Sequence, residues 1–509
     1  MAINATRRSI LAGAAATGLL PFLRGADARA QPAGVLRFGL SSYPPNIQPW
    51  ANSGTAAATI KLMIYRGLIS YGTDGQLHPE LAESWSREND LTWVFRLRDA
   101  KFQNGDKVTA ADVKWTLEQV ASEKSTAHLR TEIRNIVRIE TPDDRTVRMI
   151  TRVPLVTLPN WMASYHLPVI SRQSSGRDFI GAGPFVLKSQ ERGSSLELEA
   201  FEGFYKPGLP KLKAIRVVAY ADENLRVAAL QSGDVDLIEY VPWQSMAAIG
   251  DNPQLKLDAV DGPFMYLVFN GSKPPFNDAR VRKAVAHAIR REDLVKAAFF
   301  GRGSPMAHLP IPENNPYYNP DLKDGWHYDP ALAKKLLAEA GHGNGFACNL
   351  LSTAQYGMHK DSAEVVQQHL AAIGIQATLN LPDWATRVAI GNRGQYDLAM
   401  MGTAADSNDP DGLSNILDGS LATAYIRSYG LPTPRISELF AAGRAEFDEA
   451  KRKAIYRELE QVAIAEAPIV GLSWRSQGYA MRQAVSGFRN LPGALTFYSG
   501  LTLETTTLS

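Results

Sequence analysis

The sequence predicts an α/β protein of several domains, and three observations carry that expectation. The first is the stretch from Gly262 to Glu292, where the apolar run Phe264 to Phe269 reads as a short strand buried on both faces. Pro274 and Pro275 end it, and Asp278 then caps an amphipathic helix in which Val281, Val285, Ala288 and Ile289 recur at helical spacing among Arg280, Arg282, Lys283 and Arg290. The second is an alternation further on. Asp329 caps a helix with Pro330 in its first turn and Gly341 at its end, and a strand from Phe346 to Ser352, a helix from Ala363 to Ile373 and a strand from Ile375 to Asn380 then form a βαβ unit. The third is size: 509 residues, 45% hydrophobic and 21% charged, describe an ordinary globular chain with room for roughly three domains.

In chain order, residues 1–30 read as an export signal. Thr6-Arg7-Arg8-Ser9-Ile10-Leu11 precedes a mild Ala/Gly/Leu stretch, and Ala28-Arg29-Ala30 supplies a small-x-small cleavage pattern, which together resemble a twin-arginine signal cleaved near Ala30. The apolar stretch is too short to span a bilayer, so the chain is not expected to be membrane-embedded. Arg7, Arg8, Arg24 and Arg29 against Asp27 give this segment a net +3, so of the formal +2 the rest of the chain carries −1, a near-neutral body with no electrostatic footprint for nucleic acid. Cys348 is the only cysteine, so no intramolecular disulfide forms. It lies far from the cleavage site, which excludes a lipid-anchored N-terminus there, and it reads as a small buried hydrophobe.

Val35 to Leu40 is the opening strand, broken by Tyr43-Pro44-Pro45. Trp93, Phe95 and Leu97 alternate with Thr92, Arg96 and Arg98 as a half-buried strand, and Thr109 with Asp112 forms a capping box for a helix in which Val113, Leu117 and Val120 share a face. Gly181-Ala-Gly-Pro-Phe185 lacks phosphate-loop spacing and reads as a turn. Two strands follow, with Leu196, Leu198 and Ala200 on one face of the first and Ile215, Val217 and Ala219 on one face of the second. A helix from Asn224 to Gln231 stops at Gly233, so Asp234 and Asp236 read as a helix stop and the start of a strand. Tyr396 to Gly402 is a further strand, Pro434 to Glu466 a pair of helices broken near Gly443 to Asp448, and the tail from Trp474 short strands and turns.

Several of these stretches carry a resemblance. The strand ending in Phe269-Asn270, then Pro275-Phe-Asn-Asp278 and the helix ending in Ala288-Ile-Arg-Arg291, resembles the family 5 (dipeptide and oligopeptide type) solute-binding proteins of ABC importers. So does the succession Leu81-Ala-Glu-Ser-Trp85, Phe95-Arg-Leu-Arg98 and Ala111-Asp-Val-Lys-Trp115. The resemblance implies a two-lobe periplasmic binding protein fold of type II, cluster C-like, with an extra subdomain inserted in the larger lobe. Its expected segments are 31–61, 176–265 and 481–509 for the larger lobe, 62–175 for the subdomain and 266–480 for the smaller lobe. It also implies a monomer free in the periplasm that captures a small-molecule or short-peptide ligand by hinge closure and delivers it to membrane permease subunits, with no cofactor. The first expectation for the solute is a dipeptide, short peptide or amino-acid derivative, and the alternative a sugar, opine, haem or nickel complex.

By the same resemblance, Asp406 aligns with a family aspartate that pairs with the ligand's ammonium group. Trp384 aligns with an aromatic of the pocket, and Thr403 stands where the family commonly has Trp. Ala404, Ser42, Tyr43 and Asn270 complete the expected ligand-binding set. The rival class is an extracytoplasmic hydrolase. Gly-x-Ser-x-Gly, Ser-x-x-Lys and His-Glu-x-x-His are all absent, and no two of the nine histidines lie closer than ten residues, so no catalytic residue is assigned. Asp406-Ser-Asn-Asp-Pro-Asp-Gly412 fails as a calcium loop because Pro410 stands at the fifth ligand position and no Glu at the twelfth.

Overall fold

The structure, a computed structural model, describes residues 34–51, 54–175, 178–405 and 407–509. The export signal expected at 1–30 lies outside the described residues. Among those described, no helix is long and apolar enough to cross a membrane.

Two long strands, Leu255–Phe269 and Ile469–Arg482, run antiparallel at the centre of an eleven-stranded sheet, with the short strand Gly303–Pro305 paired to the second of them off the main order. On one side follow Leu237–Ile238, Val35–Leu40, Ala214–Ala219, Ser195–Ala200 and Phe185–Glu191; on the other Leu398–Thr403, Phe346–Leu351 and Ile375–Asn380. The central pair divides its loyalties along its length. Residues 255–261 lie against 476–482, whose Ala480 and Met481 continue into Leu237–Ile238, whereas Phe264–Phe269 pairs on its other edge with Leu398–Thr403. Between the two halves the register slips at Asp261/Phe264, which leaves Gly262 and Pro263 as an irregularity in the ladder. Proline has no N–H to give and is tolerated at such a bulge. Glycine is required beside it, because a Cβ on Gly262 would lie 1.9 Å from the carbonyl oxygen of Gly493.

This geometry corrects two expectations. The run Phe264 to Phe269 is only the last part of a 15-residue strand, and the tail from Trp474 begins inside a 14-residue one. Gly262-Pro263 reads as a break in sequence, yet a bulge absorbs it. Ser473, Arg475 and Gln477 interrupt the apolar pattern of the second strand, yet all three are buried.

The buried apolar residues form three clusters. One packs Phe264–Phe269 with residues between Val227 and Ala480. A second lies largely within 62–182, joined by Leu491, Leu495, Tyr498 and Leu501. It is built on a four-stranded sheet ordered Ala82–Asn89, Thr92–Leu97, Thr146–Thr151, Ile136–Asp143. Its helix Ala110–Ala121 starts as the sequence predicts, with Thr109 N–H donating to Asp112 Oδ2 at 3.0 Å. The third surrounds Leu36, Phe38 and Leu40 with Ile215, Val217 and Tyr479. The predicted βαβ unit is present, its strands Phe346–Leu351 and Ile375–Asn380 parallel and joined by the helix Gly357–Ala372.

Asp278 caps the helix Ala279–Ala288 through Arg280 N–H at 2.8 Å. Arg282 departs from expectation. It is buried, not on a wet face, and donates to the carbonyls of Phe276, Glu466 and Ala467, which ties the helix to the C-terminal end of Glu449–Glu466. Arg291 does the same for Met306, Gly471 and Trp326. Arg452, also buried, has a carboxylate partner. It grips Asp409 bidentately at 2.7 and 2.8 Å, and Asp409 in turn receives Asp411 N–H at 2.9 Å. Removing the carboxylate strands a buried guanidinium, so Asp409→Ala is expected to lower stability by about 3–5 kcal/mol in urea unfolding. A loss of less than about 1 kcal/mol would mean that the carbonyls and hydroxyls around Arg452 suffice to hold it.

Candidate functional site

A cavity of about 1170 Å3 lies between the two halves of the sheet and takes its walls from both. The loop after the opening strand brings Ser41 and Ser42, the turn after Ala214–Ala219 brings Asp222, and residues 157–166 bring Thr157, Trp161, Tyr165 and His166. Facing them are Tyr356 and His359 near the start of Gly357–Ala372, Trp384, the end of Leu398–Thr403 with Ala404 and Ala405, and Tyr425. Arg475 reaches it from the central strand pair.

Trp384 opens a helix, Trp384–Asn392, that hydrophobic periodicity alone does not reveal. Its signal was Asp383 followed three residues later by Thr386, whose N–H the Asp383 carboxylate accepts at 3.0 Å. That helix holds the indole edge-on to Tyr356 at 5.5 Å and to Tyr425 at 6.0 Å, forming an aromatic wall. Behind it sits Arg387, fully buried.

Tyr240 and Trp243 make a second aromatic surface. Tyr240 takes φ 54, a left-handed conformation unfavourable for a tyrosine, and Arg226 secures it by donating to the carbonyls of Tyr220, Glu239 and Tyr240 at 2.7–3.1 Å. Trp243 is fixed by its indole N–H donating to Ser476 O at 2.7 Å. The Arg475 guanidinium lies over both rings, 5.5 and 5.8 Å from their centroids.

Of the residues expected to bind ligand, Ser42, Trp384, Thr403 and Ala404 line the cavity. Asp406 lies outside the described residues, between Ala405 and Ser407, which both line it. Tyr43 and Asn270 are not among the lining residues. The Tyr43 hydroxyl donates to Gln190 at 3.2 Å, and Asn270 is buried, its amide donating to the carbonyls of Gly394 and Tyr396. Both amide hydrogens of Asn270 are thereby spent on main-chain carbonyls.

Sequence reasoning missed Arg475, His359, Thr157 and His166. Among the described residues, Thr157 Oγ1, His166 Nδ1, His359 Nδ1 and Arg475 Nε are buried without a hydrogen-bond partner. Burial first, then the groups around them, His128 and Lys61 for His166 and Arg387 and Arg475 for His359, push both imidazoles well below the usual histidine range. The only sequence signal for Arg475 was its place in Ser473-x-Arg475-x-Gln477, three polar residues on one face of a buried strand.

Comparisons with known proteins place these features in a family. Residues 76–424 match the bacterial extracellular solute-binding proteins, family 5 Middle. The chain is 28% identical over 467 residues to the glutathione-binding protein GsiB of Salmonella typhi, covering 88% of this chain and 90% of that one. The structure of the periplasmic binding protein AgaA of A. tumefaciens R10 in complex with agropinic acid superposes with a TM-score of 0.87 at 39% identity, over 94% of this chain and 99% of that one. The periplasmic binding protein DppA of Helicobacter pylori, in complex with the peptide STSA, shares the fold with a TM-score of 0.83 at 22% identity. The two-lobe α/β architecture, the interlobe cavity and the match over most of its length identify this chain as a member of the bacterial extracellular solute-binding proteins, family 5.

Proposed function

We propose that the chain is the periplasmic receptor of an ABC importer, and that it captures a short peptide or another amino-acid derivative by closing its lobes and presents it to the permease subunits as a monomer. The observation that carries this reading is the cavity itself, of about 1170 Å3 and walled from both halves of the sheet by aromatic faces with a few buried, unpartnered polar groups between them. An opine-type acid in place of a peptide is the second reading. It is favoured by the 39% identity to the agropinic acid complex, spread over nearly the whole of both chains. In this reading the larger lobe comprises 31–61, 176–265 and 481–509, the subdomain 62–175 and the smaller lobe 266–480.

Closure around the solute is read by small-angle scattering, where the radius of gyration falls on adding the solute that native mass spectrometry finds on the periplasmic protein. Superimposable curves at saturation count against a hinge. Asp406 is the proposed anchor for a ligand ammonium group, beside Trp384, Thr403, Ala404 and Ser42. The neighbouring acids Asp409 and Asp411 are already bound to Arg452 and Arg444, which supports giving that role to Asp406. Asp406→Asn is expected to weaken calorimetric binding by about 2 kcal/mol. Unchanged affinity in a folded variant removes the ammonium anchor. Export by the Arg7-Arg8 segment belongs to the same reading: replacing both with lysine leaves precursor in the cytoplasm, and undiminished periplasmic protein refutes a twin-arginine route.

A further inference from the structure

The charged groups around the cavity fall into two unequal sets. Of the described acids that line the cavity, two are taken up by arginines: Asp409 by Arg452, and Asp411 by Arg444 Nε at 2.6 Å. Asp222, across the cleft, caps the helix Glu223–Ser232 through Leu225 N–H at 2.9 Å. Two further arginines, Arg475 and Arg387, are not occupied in the same way. Arg475 is 2% exposed and donates through Nη1 to the neutral Gln477 Oε1 at 3.2 Å, while its Nε has no partner. Arg387 is 0% exposed, donates to the carbonyl of Met400, and leaves Nε and Nη1 without partners. Among the described residues, no carboxylate lies within ion-pair distance of either guanidinium. His359, 1% exposed, lies close enough to both to feel their charge, and its Nδ1 is unpartnered.

Two buried positive charges with neutral surroundings are unfavourable unless something negative joins them. Aromatic faces supply part of that compensation, since Arg475 lies over Tyr240 and Trp243 and Arg387 over Trp384 and Tyr425. They do not supply acceptors for the free N–H groups. Arg475 and His359 both line the cavity, so a solute held there lies against these two residues, whereas Arg387 stays behind the Trp384 wall and acts only through its field.

We infer that the solute is an anion, and that a carboxylate of it docks on the unpartnered edge of Arg475 with His359 beside it and Arg387 lending positive charge from behind. The inference rests on the reading of the cavity as a site for an amino-acid derivative and narrows it to those with a free acid group. A guanidinium edge presents parallel N–H donors that match the two oxygens of a carboxylate, a fit that an ester or primary amide of the same shape does not reproduce. Tyr240, held left-handed by Arg226, and Trp243, held by Ser476, position that edge before the ligand arrives.

The test is calorimetric titration of the full mature protein, stripped of bound solute, with glutathione and with agropinic acid, each beside its fully esterified form. At least one acid is expected to bind wild type tenfold or more tightly than its ester. Arg475→Gln should lose tenfold or more of the affinity for the acid and little for the ester, and Arg475→Lys, which keeps the charge but not the fork, should fall between. Equal binding of acid and ester to wild type overturns the inference alone, whatever the variants do, so a variant that fails to fold does not shield it. Equal losses for acid and ester in a folded Arg475→Gln show that the arginine only braces Tyr240 and Trp243, and likewise overturn it. Failure of wild type to bind either acid overturns the amino-acid-derivative reading first, and this inference with it.

Discussion

The structure depends on one pair of strands that has to belong to two lobes at once. Leu255–Phe269 and Ile469–Arg482 are the junction of the eleven-stranded sheet, and the ladder between them is interrupted where Gly262 and Pro263 fall out of register. A sheet resists bending because bending breaks its ladder. At this bulge the bonds are already missing, so rotation of one half against the other disturbs few contacts there. The packing of Gly262 on Gly493 sets the opposite constraint, since nothing bulkier than hydrogen fits between the strand and the 3-10 segment Gly493–Glu504. The junction is therefore loose in hydrogen bonding and tight in steric contact, which favours a defined axis over general softness.

Much of this was legible in the sequence because it was written in local chemistry. Asp278, Asp329 and the Thr109/Asp112 box cap helices where the spacing placed them, and Gly233 ends its helix in the left-handed region at φ 82. The family resemblance carried the two-lobe fold. What failed to show were features set by long-range packing. A strand broken by Gly-Pro looks like two elements until the opposing strand is known to bulge with it, and Arg282, Arg291 and Arg452 look like a solvated face until the carbonyls and carboxylate that receive them are in view. Asn270 and Tyr43 were named for their position in the family pattern, and position along a chain does not reveal which polar group a loop will claim.

The cavity shows the same division in its electrostatics. Asp222, Asp409 and Asp411 are built into the fold, as caps and as partners of Arg444 and Arg452, and such roles leave traces at fixed offsets. Arg475 and Arg387 are held by aromatic faces and main-chain oxygens drawn from distant segments: Tyr240 and Trp243 for Arg475, Trp384, Tyr425 and Met400 for Arg387. No spacing rule connects position 240 to position 475. An uncompensated guanidinium is thus visible only once burial and partners are both known.

Arg475 belongs to the junction as well as to the cavity. Its neighbours Trp474 and Ser476 pair with Phe264 and Asp261, on either side of the bulge, and Arg475 itself pairs with Gly303 on the other edge of the strand. A carboxylate arriving there neutralises a charge on the very segment about which the lobes turn. With the cleft open, water can solvate the free N–H groups of Arg475; with it closed and empty, they face a desolvated space with no acceptor. The closed state is then disfavoured without an anion and favoured with one, because only the solute replaces the water that closure removes. Recognition of charge and movement of the lobes become one equilibrium, and a solute that fills the aromatic walls but lacks the acid gains their contact without offsetting the cost of closing.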